Sequence, residues 1–310
     1  MSSKEPELCY RYETVVADSD RWNKFPHRPG DIIVCTPPKC GTTWVQMLCA
    51  LLVHQADDLP LPLTRLSRWI DRRSEPIEQV AAELGSQPFR RVLKTHTPLD
   101  GLPYWKDASY VFCGRDPRDA FLSMMDHFAN TSAKTLAEVA SRVGASGAIP
   151  DDPNVLFPTW LTVGAHPWLD DGFPFGSSSH MAKSYWDFRH LPNIIFLHYG
   201  DLTRNLDGEM RRLSGFLGIP VNEARWPMLV DAGSFSAMKR AADDVAPGAH
   251  NGEWASNTDF FRMGRLGQWR DILSADNQAL YEQIWSKRLD PELRRWMEQG
   301  SSPIAGTSSR

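Results

Sequence analysis

The sequence predicts an α/β fold, with a central, mainly parallel β-sheet flanked by helices on both faces. Short runs of β-branched and apolar residues recur at 31–36 (DIIVCT), 91–95 (RVLKT), 109–114 (SYVFCG) and 193–199 (NIIFLHY). They are continuously apolar rather than alternating, as strands buried on both faces require. Helical patterns follow three of these runs, and strands alternating with helices build parallel sheets.

The run at 31–36 is bounded by Pro29-Gly30 and Pro37-Pro38, which punctuate a strand. From Thr42 to Gln55 the sequence turns helical, with Leu48, Leu51 and Leu52 spaced to bury one face. After Pro117, Phe121, Met124, Met125 and Phe128 fall at i, i+3, i+4 and i+7 and predict an amphipathic helix. A further helical stripe of Leu206, Met210, Leu213, Phe216 and Leu217 is closed by Gly218 and Pro220. Between 130 and 180 only a helix near 136–143 is predicted, ahead of a Pro/Gly/Trp-rich stretch. Residues 240–257 read as a mobile flap, and one helix over 277–297 ends the fold. No repeat or linker divides the 310 residues. A single domain over 1–310 is expected, with 1–25 and 300–310 as flexible ends.

Hydrophobic residues at 42% and charged residues at 23% are ordinary globular values. A net charge of −4 provides no basic field for nucleic acid, so any anion site is built locally. Cys9, Cys35, Cys40, Cys49 and Cys113 show neither CxxC nor zinc-ligand spacing, so reduced thiols and no metal are expected. There is no apolar N-terminal leader and no membrane-length apolar window, which points to a cytoplasmic protein.

Four segments carry chemistry. The first, Pro37-Pro38-Lys39-Cys40-Gly41-Thr42-Thr43-Trp44, lies between a strand and a helix. Free N–H groups and the helix dipole favour an anion there. GxxxxGK[ST] is absent, so this is not the nucleoside-triphosphate loop. The second is Lys94-Thr95-His96; a histidine beyond a strand's carboxyl end can accept a proton near neutral pH, although most such histidines are structural. The third runs from Arg115 to Ser123. Arg115 can fork onto a phosphate, the Ser123 hydroxyl can bond a phosphate or its own helix, and Asp116 can cap the helix. The fourth, 261–270, holds Arg262, Gly264, Arg265 and Gly267, a plausible phosphate-wrapping loop or an ordinary basic surface loop.

In this order and at this spacing, the segments resemble the cytosolic-type sulfotransferases, enzymes that use 3′-phosphoadenosine 5′-phosphosulfate (PAPS). The first resembles that family's Tyr-Pro-Lys-Ser-Gly-Thr-x-Trp loop, with Pro37 and Cys40 as departures. The resemblance implies a P-loop NTPase-like fold and PAPS as co-substrate without a metal. It places Lys39 on the bridging oxygen and 5′-phosphate, Cys40, Gly41, Thr42 and Thr43 around the phosphosulfate, and Trp44 against the adenine. His96 becomes the general base, with Lys94 adding charge near the transferring group. Arg115 and Ser123, eight positions apart, match the 3′-phosphate signature, and Tyr199 borders the adenosine. Phe235 and Met238 flank the adenine, preceded by Gly233 where the family has threonine. Arg262, Met263 and Gly264 fall on the second 3′-phosphate loop, where Met263 replaces a lysine that Arg265 could make good.

The implied reaction is sulfuryl transfer to a hydroxyl of an alcohol, phenol or glycolipid. The alternatives are a non-catalytic adenosine 3′,5′-bisphosphate-binding module and a nucleotide-dependent kinase. Phe157, Trp160, Trp168, Phe173 and Phe175 either line an acceptor pocket or pack beneath a long loop. The family's C-terminal dimer segment is not reproduced in RDILSADNQA after Trp269, so no dimer of that kind is expected and the oligomeric state stays open.

Overall fold

A computed structural model describes residues 4–143, 149–174, 176–261 and 264–301. Its centre is a four-stranded sheet, β1 (Ile32–Cys35), β2 (Val92–Thr95), β3 (Ser109–Gly114) and β4 (Ile194–His198), in the order β2-β1-β3-β4. All three pairings are parallel, and Cys35 is level with both Thr95 and Phe112. The carboxyl ends of the strands therefore open on one edge of the sheet.

Strand residues alternate between two cores. Ile33, Cys35, Leu93, Tyr110, Phe112, Ile194 and Phe196 face a core completed by Phe121, Phe157, Trp186, Trp285 and Trp296. Ile32, Val34, Val92, Val111, Cys113, Ile195 and Leu197 face the other, with Leu48, Leu51, Leu52, Met210, Leu213 and Leu229. Burial on both faces explains why the strands read as continuous apolar runs.

Below the opposite edge, Arg91 forks onto Asp31 at 2.7 and 2.5 Å, with both side chains at most 2% exposed. Its Nη2 also donates to the Pro26 carbonyl. This pair fixes the entries to β1 and β2.

The predicted helices stand at Thr42–His54, Pro117–Asn130, Ala133–Val143 and Leu206–Leu217, the last closed by Gly218 at φ 63°. Three expectations change. The single terminal helix is two, Ala275–Arg288 and Pro291–Gln299, because Asp290 and Pro291 begin a new helix rather than continuing the first. The unreadable stretch holds helices at Pro153–Thr162 and Ser178–Trp186, and the flap contains a helical turn at Ala242–Val245. Finally, much of the N-terminal segment expected to be flexible is packed: the N–H groups of Cys9 and Tyr10 donate to the Asp100 carbonyl, and Trp22 is 1% exposed. Among the described residues no helix is long and apolar enough to cross a membrane.

Removing one partner of a buried ion pair strands the other charge. Arg91→Ala is expected to lower unfolding stability by about 3–5 kcal/mol, read from the denaturant midpoint.

Candidate active site

Residues 36–42 turn from β1 into the Thr42–His54 helix through two left-handed positions, Lys39 at φ 66° and Gly41 at φ 91°. Glycine takes this conformation freely, whereas a lysine does so at a cost of roughly 1–2 kcal/mol. Arg115 Nη1 donates to the Lys39 carbonyl at 3.0 Å, and the Thr36 and Thr42 hydroxyls lie 2.5 Å apart. Gly41, Thr42 and Thr43 line a cavity of about 290 Å³, and Gly41, as the N-cap, contributes no side-chain acceptor. The helix start is thus left open to an anion.

Arg115 follows β3 directly, is 5% exposed and lies 4.3 Å over the Tyr199 ring. Among the described residues its Nε is buried without a hydrogen-bond partner, a state that a ligand oxygen would relieve. Trp44 meets Tyr199 edge-on at 5.3 Å and donates from Nε1 to the Gly233 carbonyl at 2.7 Å. A Cβ at Gly233 would stand 2.8 Å from Leu48 Cδ2, so Leu48 occupies the room a threonine would need. Phe235, Met238 and Gly264 complete this end of the cavity. Ser123 lines it too, and among the described residues no hydrogen bond ties its hydroxyl back to its helix. Asp116 caps that helix by accepting from the Arg118 N–H, as its position predicts, and also accepts from Trp269 Nε1 at 3.0 Å.

His96 follows β2. Its Nδ1 lies 2.7 Å from the Thr36 carbonyl, which can only accept, so Nδ1 carries the hydrogen and Nε2 keeps a lone pair. Burial, reinforced by the Lys94 charge, lowers the imidazole pKa to about 3. Lys94 stands 4.7 Å over the Trp69 ring, and burial with the nearby Arg72 charge brings its ammonium down to about 7. Lys39 Nζ lies 4.9 Å over Phe260 and 3.4 Å from His127 Nδ1; burial and Arg115 lower it to about 8. Two lysines held below their ordinary range mark a place where added negative charge is welcome.

Most expected site residues therefore converge on one cavity. Cys40 does not: its side chain is fully buried away from the cavity lining, and burial pushes the thiol up to about 12. The exchange of serine for cysteine thus changes a buried position rather than the cavity wall. Arg262 and Met263 lie outside the described residues. Arg265 is exposed and does not line the cavity. Of the aromatic candidates, Phe157 and Trp160 belong to the core, Trp168 and Phe173 are exposed, and Phe175 is outside the described residues. None of the four described ones lines the cavity; Tyr12, His166, Leu169 and Met181 do.

Sequence reasoning missed His127, Trp69, Asp71, Arg72, Trp254 and Phe260, all of which line the cavity. His127 was within reach, four residues past Ser123 on one helix face. Trp69 and Asp71 gave no signal, because a lone parallel bridge between Trp69 and Lys94 brings them in.

Gly41 tests the loop directly. An added Cβ would sit 2.9 Å from Tyr199 Cδ2 at a left-handed φ. Gly41→Ala is expected to cost about 1–2 kcal/mol of stability in denaturant melts and to weaken binding of adenosine 3′,5′-bisphosphate measured calorimetrically.

A family model described as "Sulfotransferase domain" matches residues 29–292. A glycolipid sulfotransferase of Mycobacterium bovis is 34% identical over 307 residues, covering 93% of this chain and 94% of its own. One from Mycobacterium tuberculosis is 35% identical over 306 residues, with the same coverage. Among solved structures, mouse sulfotransferase SULT7A1 complexed with PAP shares the fold, with a TM-score of 0.64 at 18% identity over 89% of this chain and 91% of that one. From the matched span and the full-length identity, the chain belongs to the sulfotransferase family.

Proposed function

We propose that this protein transfers a sulfuryl group from PAPS to a hydroxyl of a glycolipid, with His96 as the general base. The observation that carries the reading is the His96 tautomer. With Nδ1 committed to Thr36, Nε2 is the nitrogen available to an acceptor hydroxyl in the cavity that Lys39 also lines.

The donor site is supported by the uncapped helix start at Gly41–Thr43, by Arg115 Nε, which has no partner among the described residues, and by the Trp44–Tyr199 pair. Phosphosulfate suits the first, the 3′-phosphate suits Arg115 and Ser123, and adenine suits the space among Trp44, Tyr199, Phe235 and Met238. During transfer His96 Nε2 takes the acceptor's proton as its oxygen bonds to sulfur. The bond from sulfur to the phosphate oxygen breaks, and Lys39 meets the charge on that departing oxygen. Lys94 adds a second positive charge to the same cavity. Burial, with the Lys94 charge, lowers the His96 pKa to about 3, which leaves Nε2 unprotonated at physiological pH but weakens it as a base. Negative charge brought by the donor offsets the two lysines and strengthens the base.

The glycolipid acceptor rests on the two mycobacterial relatives, both named for it. Tyr12, His166 and Ser177 beside Leu169 and Met181 give the remaining wall polar and apolar groups together, as a sugar on an apolar body requires.

His96→Ala is expected to reduce turnover by about 10²-fold or more, with little change in affinity for adenosine 3′,5′-bisphosphate. Full activity in that variant would end the assignment. Binding of the bisphosphate without sulfation of any glycolipid, alcohol or phenol would favour a non-catalytic module. The lysines provide a separate check. An anion restores the charged form of groups held at about 8 and 7. Calorimetry at pH 8 in buffers of different ionisation enthalpy should therefore show proton uptake on bisphosphate binding, and uptake should shrink in Lys39→Met.

A further inference from the structure

Asp71 is 1% exposed, yet it borders the active-site cavity. Its carboxylate accepts from Trp69 Nε1 at 3.0 Å, from the Thr95 hydroxyl at 2.7 Å and from the His96 N–H at 3.1 Å. It also accepts from Nε1 of Trp22, itself 1% exposed in the core. All of these donors are neutral, and among the described residues Asp71 forms no ion pair. Burying a carboxylate without a cation costs several kcal/mol, which neutral donors offset only in part. The residues it holds explain why the cost is tolerated. Trp69 carries Lys94 on its face at 4.7 Å and meets the His96 ring edge-on at 5.0 Å and 88°. Thr95 in turn accepts the Thr97 N–H at 3.0 Å, shaping the chain on the far side of His96.

We propose that Asp71 is a positioning residue for sulfuryl transfer: one carboxylate holds the backbone of His96 and the indole that packs on both His96 and Lys94, rooting them in the core through Trp22. The proposal rests on the reading of His96 as the base. Asp71 itself touches neither acceptor nor donor and acts through these neighbours.

Asp71→Asn keeps the size but points an NH₂ group at a set of donors. It is expected to lower kcat on the order of 10- to 100-fold, while KM for PAPS and Kd for adenosine 3′,5′-bisphosphate stay within about threefold. In a His96→Ala background the same change should cost less than about threefold, because the group it positions is gone. An equal loss in both backgrounds, with His96→Ala itself impaired, overturns the role of Asp71 and leaves the base reading standing. So does wild-type kcat, or a loss of bisphosphate affinity parallel to the loss of kcat. Full activity of His96→Ala overturns the base reading and this proposal with it. Should Asp71→Asn fail to fold, Trp69→Phe deletes one held donor and keeps a ring; the same non-additivity with His96→Ala is expected, and additivity overturns the proposal.

Discussion

One hydrogen bond organises the site: His96 Nδ1 to the Thr36 carbonyl, 2.7 Å long. It joins the exits of two adjacent strands, so the loop proposed to receive an anion and the ring proposed to take a proton are tied together. It also selects the tautomer. A parallel sheet makes this possible because its strands end level on one edge, where backbone groups of neighbouring loops come within reach. The Arg115 contact to the Lys39 carbonyl repeats the device one strand over, and Tyr199, following β4, supports Arg115 from below. Every strand thus contributes its first residues beyond the sheet to one small volume.

The chemistry of that volume follows from its charge. Lys39, Lys94 and Arg115 are gathered where burial penalises positive charge, and the two lysines respond by losing basicity. Added negative charge in that volume would restore their charged forms. The left-handed Lys39 backbone belongs to the same pattern, since unfavourable geometry is kept where it aims a charged group. The Arg91–Asp31 pair beneath the opposite edge shows the contrast: there, opposite charges satisfy one another and serve only to hold strands.

Much of this was legible in the sequence because the site hangs on regular elements. Strand exits place Lys39, His96, Arg115 and Tyr199, and strands are read from apolar runs and flanking prolines. Ser123 entered through its eight-residue spacing from Arg115, which the family resemblance supplied. What escaped came from segments with no period. Trp69 and Asp71 reach the cavity through an isolated bridge to Lys94, and Trp254 through a single bridge to Thr131. Periodicity also gives no side-chain direction in a tight turn, so nothing foretold that Cys40 would be buried away from the cavity while its neighbours line it. For the aromatic residues at 157–173 the sequence left pocket lining and packing open, because bulk and apolarity suit both; Phe157 and Trp160 are buried against Phe121.

The contact between Leu48 and Gly233 ties the adenine end of the cavity to the core. A Cβ at 233 would lie 2.8 Å from Leu48 Cδ2, with the Leu229 carbonyl at 3.2 Å and Leu51 Cδ1 at 3.4 Å beside it. Leu48 is fully buried, so admitting a side chain at 233 means turning that leucine within a packed core. The Trp44 indole bonds the backbone carbonyl at the same position, so the turn that receives the ring and the helix core beneath it repack together.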